Sequence, residues 1–416
     1  MGQIHKRFSV EQVKVLLQGY VHGTITRPEI QETLQINKTR FFALLKEYRQ
    51  APESFSIAYE CSHSPRLSAE LEESIQTELK REQALIENPE LPISSYNYSA
   101  VRDRLADRGH LVSVNTIIQR AKQLGCYVPH PKKKIHDRQV VTAAIGALIQ
   151  HDASIHLWSP YASEKWTLIT SIDDYSRLLL YADFVHQETS WAHIQAAQNV
   201  MQNFGLPLRY YVDNLRVFRF IQSRDSVWRK HVVGTDDVDP QWRTCLRTLG
   251  VDVTYALSPE AKGKVERPYR WLQDRIVRTC ALEKLTAFED VRAVLQQEVQ
   301  RYNSHQVHST TGEIPALRFK NAQRTGNSLF RLFSLPKPYT SSKDVFCLRE
   351  TRTADGYSRV SFFNHHIHLP QIPPYEDVQL HMIPDATRQV LEVRIWWNGR
   401  MVHSADLPLA DSRVHF

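Results

Sequence analysis

The chain has 416 residues, enough for two to four domains, and 42% of them are hydrophobic, which excludes global disorder. Its 52 Lys and Arg against 45 Asp and Glu give a net charge of +7, compatible with a polyanionic partner without proving one. There is no signal-peptide pattern and no apolar run long enough for a membrane span. Five scattered cysteines (Cys61, Cys126, Cys245, Cys280, Cys347) with no C-x-x-C pair predict reduced thiols in a cytosolic protein and no zinc site.

In chain order, residues 1–60 read as a helix-turn-helix domain. Ser9 can cap a helix carrying Val10, Val13, Leu16 and Leu17, and Thr26-Arg-Pro-Glu29 is a capping box with proline in the first turn. Asn37 can cap a third helix with Phe41, Leu44 and Leu45 inward. In such a motif the start of the last helix enters the major groove, which picks out Lys38, Thr39 and Arg40. Residues 61–130 repeat the plan. A long helix spans about Ala69–Glu87, Ser99 caps a second over Ala100–Arg108, and Ser113 caps a third over Val114–Leu124. Asn115, Gln119, Arg120 and Lys122 form the polar face of that third helix. The plain alternative for each unit is a small helical domain for protein contacts. Residues 131–140, with Lys132, Lys133 and Lys134, read as a basic linker that can lie on phosphates.

Residues 141–320 mix strands and helices. Strands are predicted at 146–157, 166–173, 177–185, 208–212 and 251–256. Helices are predicted at 188–203, 241–249, across Glu266, and at 288–302. Asp152 and Asp213 each sit within or just beyond an apolar run. A buried carboxylate there is costly unless it is paired or binds a cation. Glu266 is the one acid flanked by Lys262, Lys264, Arg267 and Arg270. Lys262, Glu266, Arg270 and Gln273 share one helical face, while Leu272 and Ile276 can pack inward. Its plain reading is a solvated salt-bridge face. Pro268 is tolerable if the regular helix starts close to Glu266. Three carboxylates from two strands and a helix would make a hard-oxygen site that suits Mg²⁺. Asp173 and Asp174, before Tyr-Ser-Arg, read as turn residues. His151 and His156 flank Asp152 and read first as packing residues.

Residues 321–342 form a Pro- and Lys-containing linker, and 343–416 turn β-rich. Asp355-Gly356 and Asn398-Gly399 signal hairpins among five or six short strands, which suggests a small β-barrel. Strand alternation splits the histidines of Asn364-His-His-Ile-His368 between faces, which argues against a metal site.

The order Asp152, Asp213, Glu266 resembles the DDE triad of the retroviral-integrase superfamily, most closely bacterial insertion-sequence transposases. The motifs that carry it are His-Asp-Ala-Ser (151–154), Ile-Asp-Asp-Tyr-Ser-Arg (172–177), Val-Asp-Asn (212–214), Pro-Glu-Ala-Lys-Gly-Lys-Val-Glu-Arg (259–267) and the segment 302–319. One departure is the 53-position step from Asp213 to Glu266 (266 − 213), longer than the thirty-five typical of retroviral integrases. The surplus falls in Phe218–Pro240, read as an inserted loop or hairpin.

The resemblance implies a multidomain protein. All-α helix-turn-helix units would precede a ribonuclease-H-like α/β core, with a small β-barrel at the end. It implies a Mg²⁺-dependent DNA transposase using two ions, with Mn²⁺ able to substitute. The partners would be the element's terminal inverted repeats and target DNA, bound as a homo-oligomer, with a helper ATPase in some related elements. Asp152, Asp213 and Glu266 would hold the metal, and Lys262, Lys264 and Arg270 the phosphates. The location would be cytoplasmic, on the nucleoid. The alternative is a silent, domesticated transposase acting as a DNA-binding regulator.

Overall fold

The structure is a computed structural model. It describes residues 4–57, 67–129, 142–212, 241–255, 263–363 and 365–411, with backbone only for 263–267.

The first helical unit comprises α1 (Ile4–Arg7), α2 (Val10–Val21), α3 (Arg27–Leu34) and α4 (Lys38–Gln50). Its starts are capped as the sequence indicates. Ser9 Oγ accepts from Gln12 N at 3.2 Å and Gln12 Oε1 from Ser9 N at 2.7 Å, while Asn37 Oδ1 accepts from Arg40 N at 2.8 Å. Val13, Leu16, Leu17, Ile30, Leu34, Phe41 and Leu44 fill the core, and Ile314 from the central region joins it. The second unit holds α5 (Ala69–Glu87), α6 (Tyr98–Asp107) and α7 (Val114–Gln123). Here α6 begins before the predicted Ser99 cap. Asn97 caps it instead, accepting from Ala100 N at 3.0 Å, and its amide nitrogen is held by Asp274 at 2.5 Å.

The central region contains β1 (Ile149–His156), β2 (Trp166–Asp173), β3 (Leu179–Val185), α8 (Ser190–Phe204), β4 (Arg209–Val212), α9 (Gln241–Thr248) and β5 (Asp252–Tyr255). It continues through α10 (Gly263–Glu283), α11 (Phe288–His305) and α12 (Pro315–Arg324). The sheet order is β3-β2-β1-β4-β5. Strands β1 to β3 form an antiparallel meander, and β4 and β5 join it in parallel. This is the strand order of a ribonuclease-H-like α/β fold. Helices α10 and α11 cover one face through Leu272, Ile276, Val291 and Leu295. On the other face lie α8 and α9, through Ile194, Val200, Trp242 and Leu246. Helix α10 starts at Gly263, earlier than the proline argument allows, so Pro268 lies inside it and cannot donate to the carbonyl four residues back.

Two expectations are corrected downstream. The predicted linker 321–342 is largely fixed to the core. Helix α12 runs to Arg324, Leu329 N donates to Ile145 O at 2.8 Å, and Leu206 and Arg331 exchange backbone bonds of 2.8 and 2.9 Å. Gly205, at φ +101°, admits this strap, since a Cβ there would meet the Arg331 carbonyl oxygen at 2.5 Å.

The tail contains β6 (Leu348–Thr353), β7 (Arg359–Phe362), β8 (His365–His368), β9 (Asp377–Asp385), β10 (Val390–Trp397) and β11 (Arg400–Pro408). They form a four-stranded sheet, β11-β10-β9-β6, and a separate ribbon, β7-β8. Among the described residues no strand pairing closes a barrel. The expected Asp355-Gly356 hairpin between β6 and β7 does not form. Asp355 Oδ1 accepts the amides of Tyr357 and Arg359, each at 2.9 Å, and the chain turns out of the sheet while β6 pairs with β9. The tail also shares its core with the central region. Val345, Phe346 and Cys347 pack in one cluster with Trp242, Cys245 and Leu246, and Gln241 exchanges two 2.7 Å bonds with the Arg349 backbone.

Candidate catalytic site

Strand β1 is the middle strand, and its alternation sets its chemistry. Asp152 lies opposite Thr170 of β2, Gln150 opposite Ile172 and Ser154 opposite Leu168. These pairs face α10. The Thr170 hydroxyl donates to Tyr269 Oη at 2.8 Å, and Gln273 Nε2 lies 2.8 Å from His156 Nε2. Glu266 stands three residues before Tyr269, about one helical turn. The half-buried Asp152 therefore sits on the strand against which the Glu266-bearing helix is pinned. Strand β4 runs beside β1 in parallel, with Ile149 against Tyr210 and Gln150 against Tyr211. It ends at Val212, the residue before Asp213.

Asp213 and the side chain of Glu266 lie outside the described residues, as does the stretch Phe218–Pro240. Among the described residues no group of three or more His, Cys, Asp or Glu could hold a metal ion. The donor that is described, a half-buried carboxylate on a central strand, is a hard oxygen ligand and fits Mg²⁺ rather than a thiolate- or imidazole-loving metal. The Gln273 contact shows that this side of α10 borders β1. Arg270 is exposed on it. Burial, aided by Lys165, pushes the His156 imidazole below its usual range, so it is neutral at pH 7 and accepts from Gln273.

The odd face of β1 carries a buried hydrogen-bond chain that sequence reasoning missed. His151 Nδ1 lies 2.8 Å from Ser171 Oγ, His151 Nε2 lies 2.8 Å from His193 Nδ1, and His193 Nε2 lies 3.0 Å from Glu188. The Glu188 carboxylate accepts from His193, which ties Ser171, the two imidazoles and Glu188 into one continuous chain. Only the adjacency of His151 to Asp152 hinted at it; His193 has no local signal. Asp173 and Asp174 are buried and serve their own turn. Asp173 accepts from Ser176 N and Oγ and from Gly146 N, and Asp174 binds Gln150 and Arg177.

Of the residues expected at DNA, Lys38, Thr39 and Arg40 are exposed at the start of α4, and Asn115 and Gln119 are exposed on α7. Arg120 is instead paired with Glu72 of α5 by contacts of 2.5 to 3.1 Å. That pair holds α7 to α5 and leaves Arg120 less able to reach a base. Lys132, Lys133, Lys134 and Lys262 lie outside the described residues, as does the side chain of Lys264.

No family model matches the chain. It is 27% identical over 293 residues to a Sinorhizobium fredii protein named as a transposase (y4bF), covering 67% of this chain and 59% of that protein. It is 31% identical over 189 residues to the transposase for insertion sequence IS1202 of Streptococcus pneumoniae, covering 45% of this chain and 38% of that one. The chain thus spans well under two thirds of either relative. Among solved structures, the catalytic core of BIV integrase aligns with 44% of this chain and 98% of its own, at 18% identity and a TM-score of 0.31. A simian T-cell lymphotropic virus intasome chain aligns with 74% of this chain and 92% of its own, at 13% identity and a TM-score of 0.33. Likenesses that low add no argument, and the fold assignment rests on the sheet order. By sequence, the chain resembles bacterial proteins named as transposases, one of them the transposase of an insertion sequence.

Proposed function

We propose that this chain is a DDE transposase that cuts the 3′ ends of a mobile element and joins them to target DNA. One observation carries the reading most. The Thr170–Tyr269 bond pins α10, one turn after Glu266, directly across the ladder from Asp152. Asp152, Asp213 and Glu266 would be the carboxylates that hold two divalent ions, and the resemblance implies Mg²⁺, with Mn²⁺ able to replace it. Such ions, when bound, lower the cost of negative charge on the attacking and leaving oxygens of an in-line displacement.

In the first step, a water oxygen bonds to phosphorus at the element boundary and the element's 3′-oxygen leaves as a hydroxyl. In the second, that hydroxyl attacks a target phosphodiester, and the target's own 3′-oxygen leaves. Neither step needs a covalent protein–DNA intermediate. The exposed Lys38, Thr39 and Arg40 of α4, with Asn115 and Gln119 of α7, would read the terminal repeats as helix-turn-helix units. Lys132, Lys133, Lys134, Lys262, Lys264 and Arg270 would hold phosphates. Assembly on paired ends as a homo-oligomer, with or without a helper ATPase, belongs to the same proposal.

The test uses Asp152→Asn, Asp213→Asn and Glu266→Gln, each of which keeps size while removing charge. Each should abolish cleavage and joining of end-containing DNA in Mg²⁺ while duplex binding persists. Wild-type turnover by any one of them would remove that residue from the triad.

A further inference from the structure

The side of α10 turned away from the sheet meets the second helical unit, and the centre of that contact is ionic. Helix α10 supplies Arg275 and Arg278, 6% and 1% exposed. Helix α5 supplies Glu82, with no exposed surface, and α6 supplies Asp103, 7% exposed. Arg278 uses its whole guanidinium: Nη1 donates to Glu82, Nη2 to the carbonyl of Ser95, and Nε to Asp274 at 2.9 Å. Arg275 Nη1 donates to Asp103 at 2.5 Å. Glu82 also accepts from Arg104 at 2.8 Å and from the Asn97 amide at 3.2 Å. Beside this seam Leu85, Leu91 and Ile93 pack on Val277 and Ala281.

A buried ion pair adds little net stability over apolar residues of the same volume, but it is strict about geometry. A guanidinium fork satisfied on three sides leaves its partners uncompensated if the helix rolls or slides. The opposite side of α10 is fixed to the sheet through Tyr269 and Gln273. The helix is therefore held from both sides.

We infer that the second helical unit is part of the catalytic body, and that Glu82, Asp103, Arg275 and Arg278 are positioning residues that set the roll of α10. They thereby fix where Glu266 stands relative to Asp152. A unit latched this way does not swing on a tether, and the exposed face of α7 moves only with α10. The last link, to Glu266, rests on the transposase reading; the latch itself does not.

Native-state hydrogen exchange on the full wild-type chain, across a denaturant series, tests the latch. Amides of α5, α6 and the Tyr269–Leu282 part of α10 should share one opening transition. If α5 and α6 open at lower denaturant than α10, the inference is overturned. A second measurement separates position from stability. The double variant Glu82→Leu with Arg278→Met removes both charges at similar volume but takes a partner from Arg104, the Asn97 N–H, the Ser95 carbonyl and Asp274. Its melting temperature should therefore fall, and it is compared with wild type at an equal distance below each protein's own melting temperature. Its α10 amides should still exchange about tenfold faster, and end joining at saturating DNA should fall about tenfold with duplex affinity unchanged. Wild-type exchange and joining in that variant would reduce the seam to filler. Failure of the wild type itself to join ends in Mg²⁺ would refute the transposase reading, and hydrogen exchange alone would then decide whether the latch exists.

Discussion

Tyr269→Phe isolates the contact that ties the catalytic helix to the sheet. The ring is 9% exposed and its partner Thr170 is 2% exposed, so water cannot freely replace a lost bond. Phenylalanine keeps the packing against Leu272 and the β2 side chains and deletes the oxygen that accepts from Thr170. Leaving a buried hydroxyl without that acceptor should cost about 1–3 kcal/mol. For a unit of this size each kcal/mol lowers the melting temperature by about 2–4 °C. Thr170→Val removes the donor instead and should cost a similar amount. The double variant should cost clearly less than the sum, because neither end of this bond is then left without the other. Thermal unfolding of the four proteins gives the cycle. Additive costs would mean that the two side chains are not coupled and that α10 is not pinned across from Asp152. With coupling confirmed, end joining should fall in both single variants, since Thr170 is the ladder partner of Asp152.

Two further outcomes follow from the ends of the seam and from the first helical unit. Burial works to raise the Asp103 and Glu78 carboxyls, but Arg275 and Arg102 at the first, and Arg104 and Arg108 at the second, hold both below the usual range. Their stabilisation is complete above about pH 4, the ordinary carboxylate value, and is lost as pH falls through the depressed folded values. Melting temperature measured from about pH 5 down to pH 2 should therefore drop. Glu298, which burial pushes up, acts the other way, so Glu298→Gln should steepen that drop. A melting temperature that is flat across this range would contradict the seam's electrostatics. At the start of α4, Arg40→Ala should cost about 1–3 kcal/mol in binding an element end and relax sequence choice at one position. Equal loss on random and end-containing duplexes would make Arg40 a phosphate contact instead.

The elements were legible where local chemistry decides them. Ser9, Asn37 and Ser113 each accept an N-terminal amide of their helix, and these caps are readable one residue at a time. The strands at 166–173 and 209–212 were readable from apolar runs that end at turn residues. What stayed hidden depends on partners far away in sequence. The Asn97 cap competes with Ser99 two residues on, and Asp274, 177 positions downstream, holds the Asn97 amide. The strand pairing of the tail was not readable, because hairpin signals report turns, not which strands pair. Arg120 looked like a DNA contact because its partner Glu72 lies 48 positions upstream. Of the candidate site, the acid on β1 and the helix behind it were readable. The buried His151–His193–Glu188 chain was not, since imidazoles carry no periodic signal.

Long-range partners also let one strand serve two purposes. On its even side β1 carries Gln150, Asp152, Ser154 and His156 toward α10. On its odd side Ile149, His151 and Ala153 pack toward α8. A carboxylate on a central strand would ordinarily destabilise the sheet, but here the cost falls on one face only. The other face is tied down by Ser171, His193 and Glu188 and by the stacking of His151 on Trp242, whose ring centroids lie 5.6 Å apart. The rigidity the site needs thus comes from outside it. The polar chain behind β1 fixes the strand, and the ionic seam behind α10 fixes the helix. Between these two supports lies the even face of β1, which carries Asp152, and that is the place where charge can be gathered without loosening the fold.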